Sequence, residues 1–366
     1  LSHVDVVEMP NERRQFYRGQ AYFFKALAYF DLVRIFGAVP AVTTPVSIEG
    51  SYRVPREPVE NVYETIIIPD FIAAESALPA KCSGDEVGRA TSGAAKSLLG
   101  RVYLTKGDFL NAESKLKEVT TMGYQLLANY EDLFDYTKSE HHSEYIFDIE
   151  YQSGIGEGST FTTAFFPNFS EMNEFFNITG AGQEYNNPTQ ELISLFVPGD
   201  TRKEVTVGVP GGFYDADSVF HALPTSTNQT YTKKYFDSSP VRADSKANWK
   251  VIRYADVLLM YAEALNENGK PQQAIPFLNQ VRTRAGLEGY PNTMSQTETR
   301  DAIVLERRLE LSFEGVRWFD LVRTGKAYEV MKDKGMAPYM TVFPIPLSQV
   351  QIINDPTIFP QNPGYD

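Results

Sequence analysis

RYADVLLMYAEALNENGKPQQAIPFLNQVRTRAG, residues Arg253 to Gly286, reads as two amphipathic helices closed on each other by a short turn. Ala262, Leu265, Gly269, Ala274, Leu278 and Val281 stand along it at offsets of 0, 3, 7, 12, 16 and 19. Counted from Gly100, the same offsets give Tyr103, Gly107, Ala112, Leu116 and Val119, a constant shift of 162 residues. This is the spacing of the roughly 34-residue tetratricopeptide hairpin. The small residues let two backbones approach, the larger apolar ones fill the grooves between helices, and Gly107 and Gly269 end the first helix of each pair. None of these positions carries catalytic chemistry, so function must lie on what the hairpins support.

Outward from the hairpins, the N-terminal stretch predicts a helix from about Glu12 to Phe36, stopped by Gly37 with Pro40 beyond it. It is apolar nearly all round, as an enclosed helix is, and an upstream partner helix is expected to precede it. Thr43 to Pro58 reads as a loop centred on Tyr52 and Arg53. Asn61 to Leu78 returns to helix with a kink or restart at Pro69, and Tyr145 to Tyr151 alternates like a strand, with Phe147, Ile149 and Tyr151 on one face. From about 152 to 248 helical periodicity fades into Gly, Ser, Thr, Asn and Pro with scattered aromatics. A last long helix is predicted from Thr297 to about Thr324; its Phe319–Arg323 (FDLVR) repeats Phe30–Arg34 letter for letter. The Pro-rich tail should lie extended.

A formal charge of −13, without a basic run, argues against nucleic acid and against electrostatic docking on anionic lipid. Cys82 is the single cysteine, so neither an internal disulfide nor a multi-thiolate metal site can form. The longest apolar run is interrupted by Lys25, Asp31 and Arg34 and does not suit a membrane span. Glu306, Glu310 and Glu314 share a helix face, but with Arg307, Arg308 and Arg317 around them they read as a salt-bridged structural face rather than a glycosidase pair. His141 and His142 read as a solvated turn, with no spaced ligand set to make them a metal site. Nucleophile-elbow, phosphate-loop and dinucleotide motifs are absent. No catalytic residue, metal or cofactor is expected.

In order and spacing, RGQAYFFKALAYFDLVRIFGAVP (Arg18 to Pro40), IRYADVLLMYAEALNENG (Ile252 to Gly269), LNQVRTRAG (Leu278 to Gly286), ERRLELSFEGVRWFDLVRTGK (Glu306 to Lys326), FPIP and QNPGY resemble the SusD/RagB family. The resemblance covers most of the chain. It implies a mainly α, single SusD-like domain over 1–366: tetratricopeptide-like units at about 12–37, 91–123, 251–286 and 297–325, and an irregular insert with a few short strands at about 152–248. It also implies an outward-facing lipoprotein of the outer membrane that captures glycans for a SusC-like TonB-dependent transporter. The lipid-bearing cysteine, its signal and the earliest helices are expected to precede Leu1, leaving the first repeat unit incomplete.

The family has no shared ligand motif, so site residues must come from chemistry. A sugar needs flat aromatic platforms with carboxylates, amides or guanidinium groups beside them. Trp318 and Trp249 sit in or beside helical motifs where packing is the simpler role. The candidates are therefore loop residues: Tyr52 with Arg53, Phe165, Phe166 with Asn168, Phe175, Phe176, and Tyr214 with Asp215 and Asp217. The alternative from another class is a tetratricopeptide scaffold binding a peptide or protein.

Overall fold

The computed structural model describes residues 1, 3–138, 140–168, 173–174, 177–209, 212–214, 220–222, 230–237 and 241–365. Contacts divide them into two units, Leu1–Lys115 with Trp318–Asp366, and Leu116–Arg317.

In the first unit the helix Asn11–Phe36 ends at Gly37, whose φ of 72° only glycine adopts without strain and whose N–H closes on the Val33 carbonyl. Phe23, Ala26, Phe30 and Val33, spaced as one helical face, are buried against the helical run Val59–Ala77. Phe23 meets Phe71 edge-on at 5.9 Å and Phe30 meets Tyr63 at 6.2 Å. Phe24 and Leu32 on the opposite face stay 51% and 38% exposed, so the enclosure expected on all sides is not met within this unit. Pro69 stands in the first turn of the α-helix Ile68–Ala77, as one of the two expected outcomes has it, but the run before it is widened rather than interrupted. A π-helical turn at Tyr63–Ile67 carries the chain through, with the Ile68 N–H reaching back five residues to the Tyr63 carbonyl. Proline has no N–H to give and its ring crowds a carbonyl one turn earlier; widening that turn relieves both. Ser92–Lys106 follows, capped by the Thr91 side chain and stopped at Gly107 in the left-handed region.

The two FDLVR copies meet in this unit. The Arg34 guanidinium lies between the Phe30 and Phe319 rings, 3.9 and 4.0 Å from their centroids, and in each copy the arginine pairs with the aspartate three residues before it. The tail is held by Arg56, which donates to the Phe36, Ala38 and Pro360 carbonyls and to Asn362 Oδ1.

In the second unit the hairpin falls where the sequence places it: Tyr254–Glu267 and Pro271–Arg284, turned by Gly269 at φ 75° and restarted by Pro271 at the first helical position. Ala262, Ala274, Leu278 and Val281 have no exposed surface. The strand ends at Ile149 and pairs antiparallel with Trp249–Arg253. Register shifts around Phe147 destroy the expected alternation, leaving Ile146, Phe147 and Asp148 all buried. The long final helix is two helices, Gln296–Glu310 in this unit and Arg317–Arg323, which from Trp318 on belongs to the first unit; the break falls where Phe313 and Gly315 take φ of 66° and 77°.

That break aims Glu314 into a buried ion cluster. Glu144, Asp200, Glu306, Glu310 and Glu314 face Arg202, Arg253, Arg282, Arg284 and Lys234, five acids against five bases. Arg253 donates to Glu314 Oε2 and Glu144 Oε1, each at 2.8 Å, and Arg284 to Glu144 Oε2 at 3.0 Å. The face is salt-bridged as expected, but with different partners: Arg307 pairs with Asp256 and Arg308 with Glu191. Residues adjacent in a helix point away from one another, so the glutamates find cations from distant segments. Burial opposes the charge of Glu310, yet Arg284, Arg253 and Arg202 outweigh it and hold the carboxyl below its ordinary range.

His141 is exposed and pairs with Glu150 at 2.8 Å. His142, against expectation, is half-buried, with its Nδ1 accepting from the Glu144 N–H. Burial, then the nearby Lys250 and Arg253, push it down to about 4.

Ala262→Trp is expected to cost at least about 1–3 kcal/mol through overpacking, read as a lower urea midpoint; an unchanged midpoint would count against the hairpin register. His142 titrates at 6.5 when unperturbed and at about 4 here, so the stability its neutral ring contributes is present above pH 6.5 and lost as pH falls toward 4. Asp148, raised to about 6 chiefly by burial, acts in the opposite direction, but it is common to wild type and variant. His142→Gln should therefore flatten the fall between pH 7 and 4.5; equal falls in both proteins would dismiss this assignment.

Candidate functional site

The loop-rich part of the second unit assembles a group of aromatic rings from three separate segments. Phe161 and Phe165 lie one turn apart on the short helix Phe161–Phe165, so their rings run nearly parallel, 6.2 Å apart and inclined by 11°. Trp249, at the start of its strand, comes within 5.1 Å of Phe161, and Tyr151, just past the partner strand, meets Phe161 edge-on at 5.7 Å. All four rings are half-buried: fixed by packing, with part of their surface open to water. Tyr235 backs them, buried, with its ring stacked on Trp249 at 5.8 Å and its hydroxyl donating to the Phe313 carbonyl at 3.0 Å.

Short-range polar contacts hold this arrangement. Ser159 and Ser245 form a two-way backbone bridge, and the Thr162 hydroxyl donates to the Tyr235 carbonyl. Asp244 accepts the Gly154 N–H at 2.8 Å and the Ser153 hydroxyl at 3.3 Å, which fastens the small turn between Gln152 and Glu157. Alongside the short helix, the Tyr185 N–H donates to the Ala164 carbonyl at 2.9 Å, and Tyr185 itself is 59% exposed. Half-buried rings beside an exposed tyrosine and a carboxylate are chemically suited to a ligand with an apolar face and a hydroxyl rim. The two clefts described in this unit are lined by other residues.

Of the residues chosen from sequence, Phe165 belongs to this ring group. Phe166 is corrected: it has no exposed surface and packs 4.8 Å from Phe236, because the next residue on a helical turn faces inward, so it offers no platform. Asn168 is exposed, with its N–H donating to Glu184 at 3.2 Å. Tyr214 lies on the strand Gly212–Tyr214, paired with Phe220–Ala222. Phe175, Phe176, Asp215 and Asp217 lie outside the described residues. Tyr52 and Arg53 are in the first unit, exposed at the end of the short helix Ile48–Ser51, which the Ser47 side chain caps. Tyr151, Phe161, Tyr185 and Trp249 were not among the chosen residues. The i,i+4 spacing of Phe161 and Phe165 was the one local signal; Trp249 joins them only through strand pairing.

Helical hairpins bearing an irregular aromatic insert define a SusD-like fold, mainly α with a few short strands. Comparison with known proteins agrees: the profile of the SusD family matches residues 221–365, and a SusD-like profile described as starch-binding associating with outer membrane matches residues 1–104. A laminarin-binding SusD-like protein of known structure is 31% identical with a TM-score of 0.85, over 100% of this chain and 82% of that one. A SusD superfamily protein from Parabacteroides distasonis is 30% identical with a TM-score of 0.84 over the same shares. SusD-like protein P2 of Formosa agariphila is 28% identical over 94% of this chain and 73% of its own length. The chain belongs to the SusD/RagB family.

Gly315 lies beneath the ring group, where a Cβ would stand 2.8 Å from the Trp249 ring at a φ of 77°. Gly315→Ala is expected to displace Trp249, shifting the emission of one of the two tryptophans and costing about 1 kcal/mol or more. Unchanged emission would show that the ring is not held against this glycine.

Proposed function

We propose that the chain is a non-enzymatic cell-surface protein that captures glycans and hands them to a SusC-like TonB-dependent transporter at the outer membrane. The observation that carries this reading is the half-buried ring group of Tyr151, Phe161, Phe165 and Trp249, with exposed Tyr185 alongside. Flat rings fixed in place cost little ordering entropy when a sugar face covers them. The relation to a laminarin-binding protein and to a family profile described as starch-binding supports the ligand class, and that profile's association with the outer membrane supports the location. Tyr52, exposed at 45%, is a further candidate platform in the first unit. A shallow surface of this kind should bind with about −4 to −6 kcal/mol, roughly millimolar to tens of micromolar, which suits a ligand that must be passed on. A peptide scaffold is less well supported, since the related protein whose name gives a ligand is laminarin-binding.

Affinity electrophoresis through laminarin, starch, xylan and mannan, with albumin as control, tests the reading. Retardation on at least one polymer without release of reducing sugar is expected. Trp249→Ala and Phe161→Ala should each weaken retention about tenfold, ~1.4 kcal/mol, with Tyr52→Ala showing whether that residue contributes. Folded variants retained like wild type would remove the ring group from the site, and release of reducing sugar would refute the non-enzymatic assignment.

A further inference from the structure

The second unit also contains a cleft of about 520 Å³, within the usual size range of small-molecule sites. One wall is the half-buried ring of Phe236, and Tyr130, Phe134 and Arg284 contribute to its lining from below. Tyr130 and Phe134 are fixed: their rings meet at 5.5 Å, and the Tyr130 hydroxyl donates to the Glu310 carbonyl at 2.7 Å. The Arg284 charge is already balanced by Glu144 and Glu310. The lining therefore resists collapse.

Around the opening stand Asn129, Glu131 and Thr201, all exposed. Among the described residues, the Glu131 carboxylate and the Thr201 hydroxyl have no hydrogen-bond partner, and Asn129 makes only a long 3.4 Å contact to Asp132 through its amide nitrogen. An aromatic wall ringed by an amide, a carboxylate and a hydroxyl with unused bonding capacity matches a ring-shaped ligand with several hydroxyls. Glu131, Asp135 and Glu204 against Lys233 leave the rim acidic, which disfavours sulfated or uronic ligands. Tyr235 and Phe236 are consecutive: the first backs the aromatic surface described above, and the second lines this cleft, stacked at 5.9 Å on Tyr231.

We infer that this cleft is a second saccharide site, one that takes a neutral sugar residue and is separate from the ring group of Phe161 and Trp249. The inference rests on the glycan-binding reading for its ligand class. Calorimetric titration with laminari-, cello-, malto- and xylohexaose tests it, using wild type, Asn129→Ala, Val205→Trp and Trp249→Ala. Val205 lines the cleft, so tryptophan there fills it; Asn129→Ala at the exposed rim covers the case in which that larger residue prevents folding. Two sites per chain are expected in wild type. Val205→Trp should remove one, Asn129→Ala should weaken that one at least fivefold, and Trp249→Ala should affect only the other. One site per chain, abolished by Trp249→Ala and untouched by both cleft variants, overturns the cleft and leaves the glycan reading standing. Binding lost in Val205→Trp but intact in Trp249→Ala supports the cleft and removes the ring group. No heat with any of the four sugars overturns both.

Discussion

Five carboxylates facing five cations inside the second unit form the constraint on which its other parts depend. They come from Glu144 just before its strand, Asp200 and the start of the short helix at Arg202, the segment around Lys234, the strand end at Arg253, the hairpin end at Arg282 and Arg284, and the helix Gln296–Glu310 with its broken end. Each buried ion costs several kcal/mol to desolvate, and mutual attraction offsets this only with good geometry. The cluster meets that condition because Arg253 and Arg202 each contact three carboxylates at once. Its main effect is positional: the segments can sit only where every charge finds its partner, and the loop-rich insert is anchored through Arg202 and Lys234.

This explains why a chain so rich in loops can present fixed rings. Tyr235 follows Lys234 and is carried by it; the Lys234 ammonium, held by Glu314 at 2.8 Å, fixes the backbone from which the Tyr235 ring supports Trp249 and Phe161. Burial lowers Lys234 to about 8, with Glu314 opposing the shift. A platform for a weakly bound ligand gains from such support, since little of the small binding energy goes into ordering side chains.

The repetitive parts of the fold were legible in the sequence. The paired hairpins, their glycine stops and the two FDLVR segments follow from spacing within a few turns of helix, and the second hairpin lies within a few residues of its predicted bounds. What was not legible depended on distant partners. The break after Glu310 leaves a helical pattern intact in the letters, because Phe313 adopts its unusual backbone for the sake of Glu314's position. Trp249 looked like packing beside a helix, and it meets Phe161, from a segment almost ninety positions earlier, as well as the nearer Tyr235. Phe165 and Phe166 are the same type in adjacent positions, and only the orientation of a five-residue helix separates the half-buried ring from the enclosed one.

The π-helical turn at Tyr63–Ile67 has a consequence for how this helix can change over time. It holds one residue more than an α-helical turn, so everything after it is rotated by about 100° relative to an uninterrupted helix. Phe71 reaches Phe23 only because of that offset. A single-residue deletion within the turn would restore regular winding and leave Phe71 on its face, because the deleted residue is the one the wider turn absorbs, but it would return the Pro69 ring toward a carbonyl. The proline thus depends on the extra residue and not the reverse: Pro69 can be replaced within the wide turn, but the wide turn cannot be closed up while Pro69 remains without bringing its ring against the backbone.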